Sequence, residues 1–356
     1  MMTPMKHSLI LLCGMPRSGT TWIGKIFDSH PDTLYRHEPD SGKGLKSIPL
    51  FAPVADAEKY RDILKDFIER LPLLNTSRAA GSLPLFPKRY HSSAYLLVRN
   101  LAVLASKGSE VFHRKLPIVD FIDYEKVANL HVVWKSIESS GRLGIILRAA
   151  PASRAIVILR HPCGYIASVL TGEGNRHFSS STTCGDDFPV LDMLLRRSPY
   201  KKRNPALDDL KAMSMVERLA WRWLLYNEIA LSDIAELKHA SAVRYEDLCA
   251  NPIAKARELL CSTGLDWHPQ VERFIHRSSK RSSGRYYSVY KDPMDAAMKW
   301  QRQLNSASVE LIMKIVGRSN LADIYSSADR SKGGGARPRS RPDLLNRNPV
   351  LPPAVT

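Results

Sequence analysis

Hydrophobic and polar positions fall along the chain in a pattern of short apolar runs separated by longer amphipathic stretches. The first run spans Ser8 to Cys13, and a turn bracketed by Gly14 and Gly19 follows it. Trp22, Ile23, Ile26 and Phe27 then share one helical face, which His30-Pro31 stops. Strand, glycine turn and helix open a doubly wound α/β unit. Residues 56–73 predict an amphipathic helix through Ile63, Leu64, Phe67, Ile68 and Leu71, and residues 93–106 predict another, with Pro49, Pro53, Pro72, Pro84 and Pro87 punctuating the interval.

Leu130 to Trp134, ending at Lys135, and Ala155 to Leu159, ending at Arg160, are short, apolar and β-branched. That composition suits parallel strands buried on both faces. Leu143 to Ala149 predicts the helix between them, and residues 214–237 predict a long helix carrying Trp221, Leu224, Leu225 and Ile229. Ala242 to Tyr245 reads as a fourth strand closed by Glu246 and Asp247, residues 251–261 as a helix, and Val309 to Val316 as the last helix. Residues 171–206 are polar, Ser/Thr-rich and basic, which predicts an excursion outside the core. From Ser326 on, three consecutive glycines, five prolines and many arginines bury too little apolar surface to fold. The expectation is a single domain over residues 1–325 and a disordered basic tail over 326–356.

Composition narrows the class. The chain has 356 residues, 44% of them hydrophobic, and no apolar run approaches the roughly 20 residues needed to cross a bilayer. Five cysteines, at 13, 163, 184, 249 and 261, are scattered without CxxC spacing, so neither a disulfide framework nor a zinc site is predicted. The first apolar run, at about six residues, falls short of the ~7–15 of a secretion signal. A buried first strand and a reducing, cytoplasmic compartment are the resulting expectations.

Charge is the outstanding compositional feature, with 52 Lys and Arg against 35 Asp and Glu, a net of +17. It gathers at Arg196, Arg197, Lys201, Lys202 and Arg203, again between Arg273 and Lys291, and in the tail. An excess of this size draws polyanions, among them nucleic acid, anionic lipid, nucleotides and acidic glycans, although charge runs also form ordinary solvated faces. No helix-turn-helix, zinc finger or RNP string accompanies it, which excludes a dedicated nucleic-acid module.

Candidate chemistry begins at Gly14-Met-Pro-Arg-Ser-Gly19-Thr20-Thr21, where two glycines stand at P-loop separation between a strand and a helix. Backbone N–H groups of such a loop converge on an anion, and the helix dipole adds about half a positive charge there. Thr20 occupies the place where nucleotide triphosphatases carry lysine, which argues against an ATPase or kinase. Arg17 supplies a cation from inside the loop instead. A turn of this kind also serves any strand-to-helix junction, with Arg17 merely exposed.

The string Pro16-Arg-Ser-Gly-Thr-Thr-Trp22 resembles the 5′-phosphosulfate loop of sulfotransferases that use 3′-phosphoadenosine 5′-phosphosulfate (PAPS), with similarity to the bacterial and carbohydrate branches. Ile156 to Pro162 followed by Ser168 resembles the family's 3′-phosphate strand, turn and helix. Val243-Arg-Tyr245-Glu-Asp-Leu248 with Asn251-Pro252 resembles a third block, and Lys299-Trp300 with Leu304 a C-terminal one. The resemblance implies a P-loop-like parallel sheet flanked by helices, with PAPS as donor and no metal. It implies donor binding by Arg17, Ser18, Gly19, Thr20, Thr21, Trp22, Arg160, Ser168 and Tyr245, the tyrosine near adenine unless its ring simply packs in the core. Ligands of open α/β sheets sit at the carboxyl edge, where the loop, Lys135 and Arg160 all fall.

Sulfuryl transfer needs an in-line hydroxyl, a base, and cations on the sulfonate and the leaving phosphate. Lys135 resembles a lysine that contacts the sulfonate or bridging oxygen in the protein-tyrosine and carbohydrate branches. Glu38, in His37-Glu38-Pro39, resembles the acidic base of the glutamate-using branches, with His37 and His30 as the alternatives by residue type. Segments 40–130 and 171–213 are then the variable acceptor-side segments. Their mixture of basic and aromatic residues, with a Glu-type base, favours a carbohydrate or glycolipid hydroxyl as acceptor. The competing readings are a P-loop kinase and a non-catalytic anion binder.

Overall fold

A computed structural model describes residues 8–41, 44–110, 118, 130–175, 182–280 and 289–326. The amino-terminal half runs β1 (Ser8–Gly14), α1 (Thr20–Asp28), β2 (Thr33–His37), α2 (Ala57–Arg70), α3 (Ser77–Ala80), α4 (Ser93–Glu110), β3 (His131–Ser136), α5 (Leu143–Ala149) and β4 (Arg154–Leu159). Then come α6 (Pro162–Gly174), α7 (Phe188–Arg197), α8 (Leu207–Ala212), α9 (Met215–Ile234) and β5 (Ala240–Arg244). The chain continues through α10 (Tyr245–Ala250), α11 (Pro252–Ser262), α12 (Pro269–Lys280), α13 (Pro293–Met298), α14 (Trp300–Gln303), α15 (Ser306–Val316) and α16 (Leu321–Ser326).

The strands form one sheet in the order β2-β3-β1-β4-β5, with every neighbouring pair parallel. Successive side chains leave opposite faces of a strand, so each continuous apolar run feeds two cores. Leu9, Leu11, Val132, Trp134, Val157 and Leu159 pack with Leu64 and Phe67 of α2 and Ile145 and Ile146 of α5. Ile10, Leu12, Val133, Ile156 and Ile158 face the other way, onto Ile23 and Phe27 of α1, Leu260 of α11 and Phe274 of α12. A further core joins α6, α7, α9 and α15 around Tyr165, Trp221, Trp223 and Ile312.

Three sequence expectations change. Thr33 to His37 is a strand, although its residues are mostly polar. Arg36 lies wholly buried in it and donates from Nε to the Leu71 carbonyl at 3.0 Å and from Nη2 to that of Pro72. The carbonyls of Leu71 and Pro72, 35 and 36 residues away, help to satisfy that guanidinium, so local hydrophobicity gave no sign of a strand. The 171–206 excursion is partly core, because α7 seats Leu191 and Leu194 with no exposure in the cluster built on α9. Val316 is not the end of the last helix either; α16 follows and buries Tyr325. The tail at 327–356 lies outside the described residues. Among the described residues no helix is long and apolar enough to cross a membrane.

The α7 result carries a measurable consequence. Leu191→Ala or Leu194→Ala is expected to lower the unfolding free energy by about 3 kcal/mol in urea denaturation. A solvent-borne excursion would give a change within about 0.5 kcal/mol.

Candidate active site

All five strands end on one edge, and the residues there come from five separate stretches of chain. At the middle, Gly14 closes β1 so tightly that a Cβ there would come within 2.6 Å of Ser18 Oγ and 2.8 Å of the Ile158 carbonyl. The loop turns through two left-handed residues, Arg17 at φ 72° and Gly19 at φ 89°. A non-glycine residue held this way stores about 1–3 kcal/mol of strain, which the surrounding contacts must hold. Ser18 is spent on the loop itself, its backbone N–H and its hydroxyl both donating to the Met15 carbonyl. Gly19 starts α1 with no side-chain cap and no acidic residue in the first turn, which begins with buried Thr20 and half-buried Thr21. First-turn amides and the positive end of the helix dipole are thereby left for an anion.

The loop is joined to the neighbouring strand by arginines. Arg17 Nε donates to Ser168 Oγ at 3.1 Å, and Arg160 Nη1 donates to the Arg17 carbonyl at 2.7 Å. The other arm of Arg160 reaches the Ala296 carbonyl at 2.7 Å. Its guanidinium lies 5.3 Å from the Tyr245 ring centroid. Tyr245 is the first residue of α10 rather than the last of a strand, and its ring lies so close under Gly19 that a Cβ there would approach it to 2.3 Å. Trp22 meets Tyr245 edge-on, and its Nε1 donates to Ser278 Oγ at 3.0 Å, so the tryptophan is a buried support of the loop.

Two lysines that the sequence reading did not assign to the site join this cluster. Burial, with the nearby charges of Arg17, Lys299 and Arg160, pushes Lys291 down to about 8. Four cations thus gather around the loop and the β4 edge. Lys291 stands in a basic run and Lys299 in the C-terminal block, the only signals the sequence offered. Beside them His161 stacks on Trp300 at 4.6 Å, which fastens the start of α14 to the β4 turn.

The second half of the site lies across β2 and β3. Glu38 follows β2 at φ 48°, and its backbone N–H donates to the Lys135 carbonyl at 2.8 Å, extending the parallel ladder by one step. The same register brings the side chains together, Lys135 Nζ donating to Glu38 Oε1 at 2.5 Å. Both groups are nearly out of solvent. Burial pulls the Lys135 ammonium below its ordinary range, and the Glu38 carboxylate opposes the fall. His37 Nε2 stands 3.7 Å from Oε1, and Arg78 of α3 stands 3.4 Å from Oε2. Arg78 was not legible as a site residue, since 39 positions, helix α2 among them, separate it from Glu38 in sequence.

Asp40, also missed, holds this corner in place. Its carboxylate accepts from Trp134 Nε1 at 3.1 Å and from the Ser136 and Ser139 hydroxyls at 2.6 Å each. His30 leaves the list of bases: it precedes the amino end of β2, contacts the Asp266 carbonyl at 2.9 Å, and is pushed by burial to about 4. Among the described residues no group of three or more His, Cys, Asp or Glu is placed to hold a metal ion.

An all-parallel sheet with an uncapped helix start, surrounding cations and a carboxylate–ammonium pair on its carboxyl edge defines an anion-handling α/β protein. A family model described as "Sulfotransferase family" matches residues 10–269, and the chain belongs to that family. Carbohydrate sulfotransferase 3 of Rattus norvegicus is 32% identical over 77 residues, 21% of this chain and 16% of that protein. The corresponding Mus musculus protein is 32% identical over 98 residues, 25% of this chain and 21% of its own length. The chain therefore matches less than a quarter of either curated relative. Among solved structures, the sulfotransferase domain from the curacin biosynthetic pathway aligns with a TM-score of 0.43 at 17% identity, covering 87% of this chain and 98% of that one.

The lysine beside the loop gives a pH test. Lys291 is charged below about 8 and neutral above it, so affinity for adenosine 3′,5′-bisphosphate is expected to weaken as pH climbs from about 7 to about 9. The loss should approach about tenfold in isothermal titration, the worth of one charge-assisted contact. Lys291→Met should bind more weakly at neutral pH and show a flatter profile; a wild-type affinity that is level across this range would contradict the placement.

Proposed function

We propose that this chain moves the sulfuryl group of PAPS to a hydroxyl of an acceptor, releasing adenosine 3′,5′-bisphosphate. The observation that carries the reading is the contact between Glu38 and Lys135 on the edge that also holds the phosphate loop. Family membership supports the same donor and reaction class.

In this reading the loop amides with Arg17, Thr20 and Thr21 hold the phosphosulfate. Ser18, Gly19 and Trp22 shape the loop. Arg160 and Ser168 hold the 3′-phosphate, and Tyr245 sides the adenine from beneath Gly19. The acceptor oxygen bonds to sulfur as the bond from sulfur to the bridging oxygen breaks. Glu38 takes the acceptor's proton, and Lys135 answers the charge that develops on the departing phosphate. For that, Lys135 must exchange Glu38 for the sulfonate, so donor arrival frees the carboxylate to act as base. In this reading His37, 3.7 Å from the same oxygen, steadies Glu38.

The acceptor side is the segment that brings Arg78 to Glu38, within residues 40–130, together with residues 171–213. A carbohydrate or glycolipid hydroxyl is the favoured acceptor class, a reading in keeping with the carbohydrate sulfotransferases among the relatives. The domain itself is taken as residues 1–325.

Glu38→Gln keeps shape and removes the base. Turnover with PAPS and an acceptor pool is expected to fall about 10²–10⁴-fold, while affinity for adenosine 3′,5′-bisphosphate stays within about twofold. Unchanged turnover would remove Glu38 from the chemistry. Tighter binding of Mg-ATP than of the bisphosphate would replace the donor assignment with a kinase.

A further inference from the structure

Helix α4 is turned inside out. Leu97, Val98, Leu101 and Leu104 are 70%, 61%, 68% and 58% exposed, and they follow one another at helical spacing along a single face. The inward face carries the polar groups. Arg99 is buried and its Nη2 donates to the Ala80 carbonyl at 3.2 Å, while Ser106 is buried and Val103 makes an apolar contact with Ala80 and Ile118. A helix packed only for its own domain places its leucines inward and its arginine outward. Reversal over a continuous stripe marks a surface made to meet something apolar.

We propose that α4 seats this chain on an anionic lipid surface, lying in the plane of the interface with Leu97, Val98, Leu101 and Leu104 in the acyl boundary. Two considerations favour lipid over a second copy. The face is a single stripe along one helix, and its four branched side chains make a patch of roughly a few hundred Å². That is below the ~800 Å² per partner that a stable dimer buries. The stripe itself carries no charge, whereas the whole chain carries +17, which complements an anionic membrane and suits no second copy of the same charge. Of the arginines nearest in sequence, Arg78 on α3 is paired with Glu38 at 3.4 Å and Arg89 with Asp32 at 3.2 Å, so the attraction is that of the chain's overall charge.

The position has a consequence for the site. α4 holds α3 through Arg99 and Ala80, and α3 carries Arg78 to Glu38. A chain seated through α4 has its acceptor side one short helix from the membrane, where hydroxyls of lipid-borne acceptors lie. The seat itself does not depend on the sulfotransfer reading; only this consequence does.

The test is co-sedimentation of the full chain with vesicles of phosphatidylcholine alone and with phosphatidylglycerol added. The wild type is expected to bind the anionic vesicles and bind the neutral ones at least about tenfold more weakly. The variant L97Q/L101Q/L104Q, which keeps good helix formers on the surface, should lose at least about tenfold in anionic-vesicle affinity. Its circular dichroism and its affinity for adenosine 3′,5′-bisphosphate should remain those of the wild type, which separates this result from a failure of the donor site. No vesicle binding by the wild type, or equal binding by both proteins, overturns the proposal. So does a wild type that is dimeric by light scattering and becomes monomeric in the variant, since the stripe would then belong to a second copy.

Discussion

Everything at the site depends on the parallel pairing of β2 with β3. The register sets His37 opposite Lys135, and the next peptide carries the ladder one residue further, to the Glu38 N–H. A slip of one position would turn each side chain of β2 to the other face of the sheet. Lys135 would then meet a core of leucines and Glu38 would face the opposite layer. The pair exists because a strand with arginine at its centre holds its place through the carbonyls of Leu71 and Pro72, and because Asp40 ties the next turn to Trp134, Ser136 and Ser139.

Burying an ammonium and a carboxylate together is costly, and such a pair is weak support for a fold. Its value is in what it does when the charge around it changes. The edge around the loop and β4 is cationic, through Arg17, Arg160, Lys291 and Lys299, and the Lys291 ammonium is depressed first by burial and then by repulsion from the other three. In the proposed reading, an anion with two phosphate-like ends relieves that repulsion and also competes with Glu38 for Lys135, so that one binding event stabilises the cluster and loosens the carboxylate.

Much of the architecture was legible because it rests on local rules. Continuous apolar runs at residues 8–13, 130–134 and 155–159 had to be strands buried on both sides, and Ser214 with Glu217 capped a long helix whose start the sequence marked within a residue. The glycine spacing placed the loop, and Arg160 fell at its strand end as the pattern required. What escaped was β2, whose central Arg36 is held by the distant carbonyls of Leu71 and Pro72, and α7, whose two buried leucines sit in a polar, basic stretch. Lys291, Arg78 and Asp40 escaped for the same reason: each has its partner on a different element.

The sequence by itself determined which chemistry was available: an anion loop with arginine instead of lysine, a strand-end arginine with a serine eight residues on, and a glutamate and a lysine in the company of a recognised family pattern. Tertiary structure decided which of these meet. It put Lys135 on Glu38, Arg17 on Ser168 and Tyr245 under Gly19, withdrew His30 to the far end of its strand, and turned the leucines of α4 outward. Residue type fixes a group's charge and hydrogen-bonding capacity, but distance and burial fix how strongly that capacity is felt, and both are properties of the packed sheet and its helices.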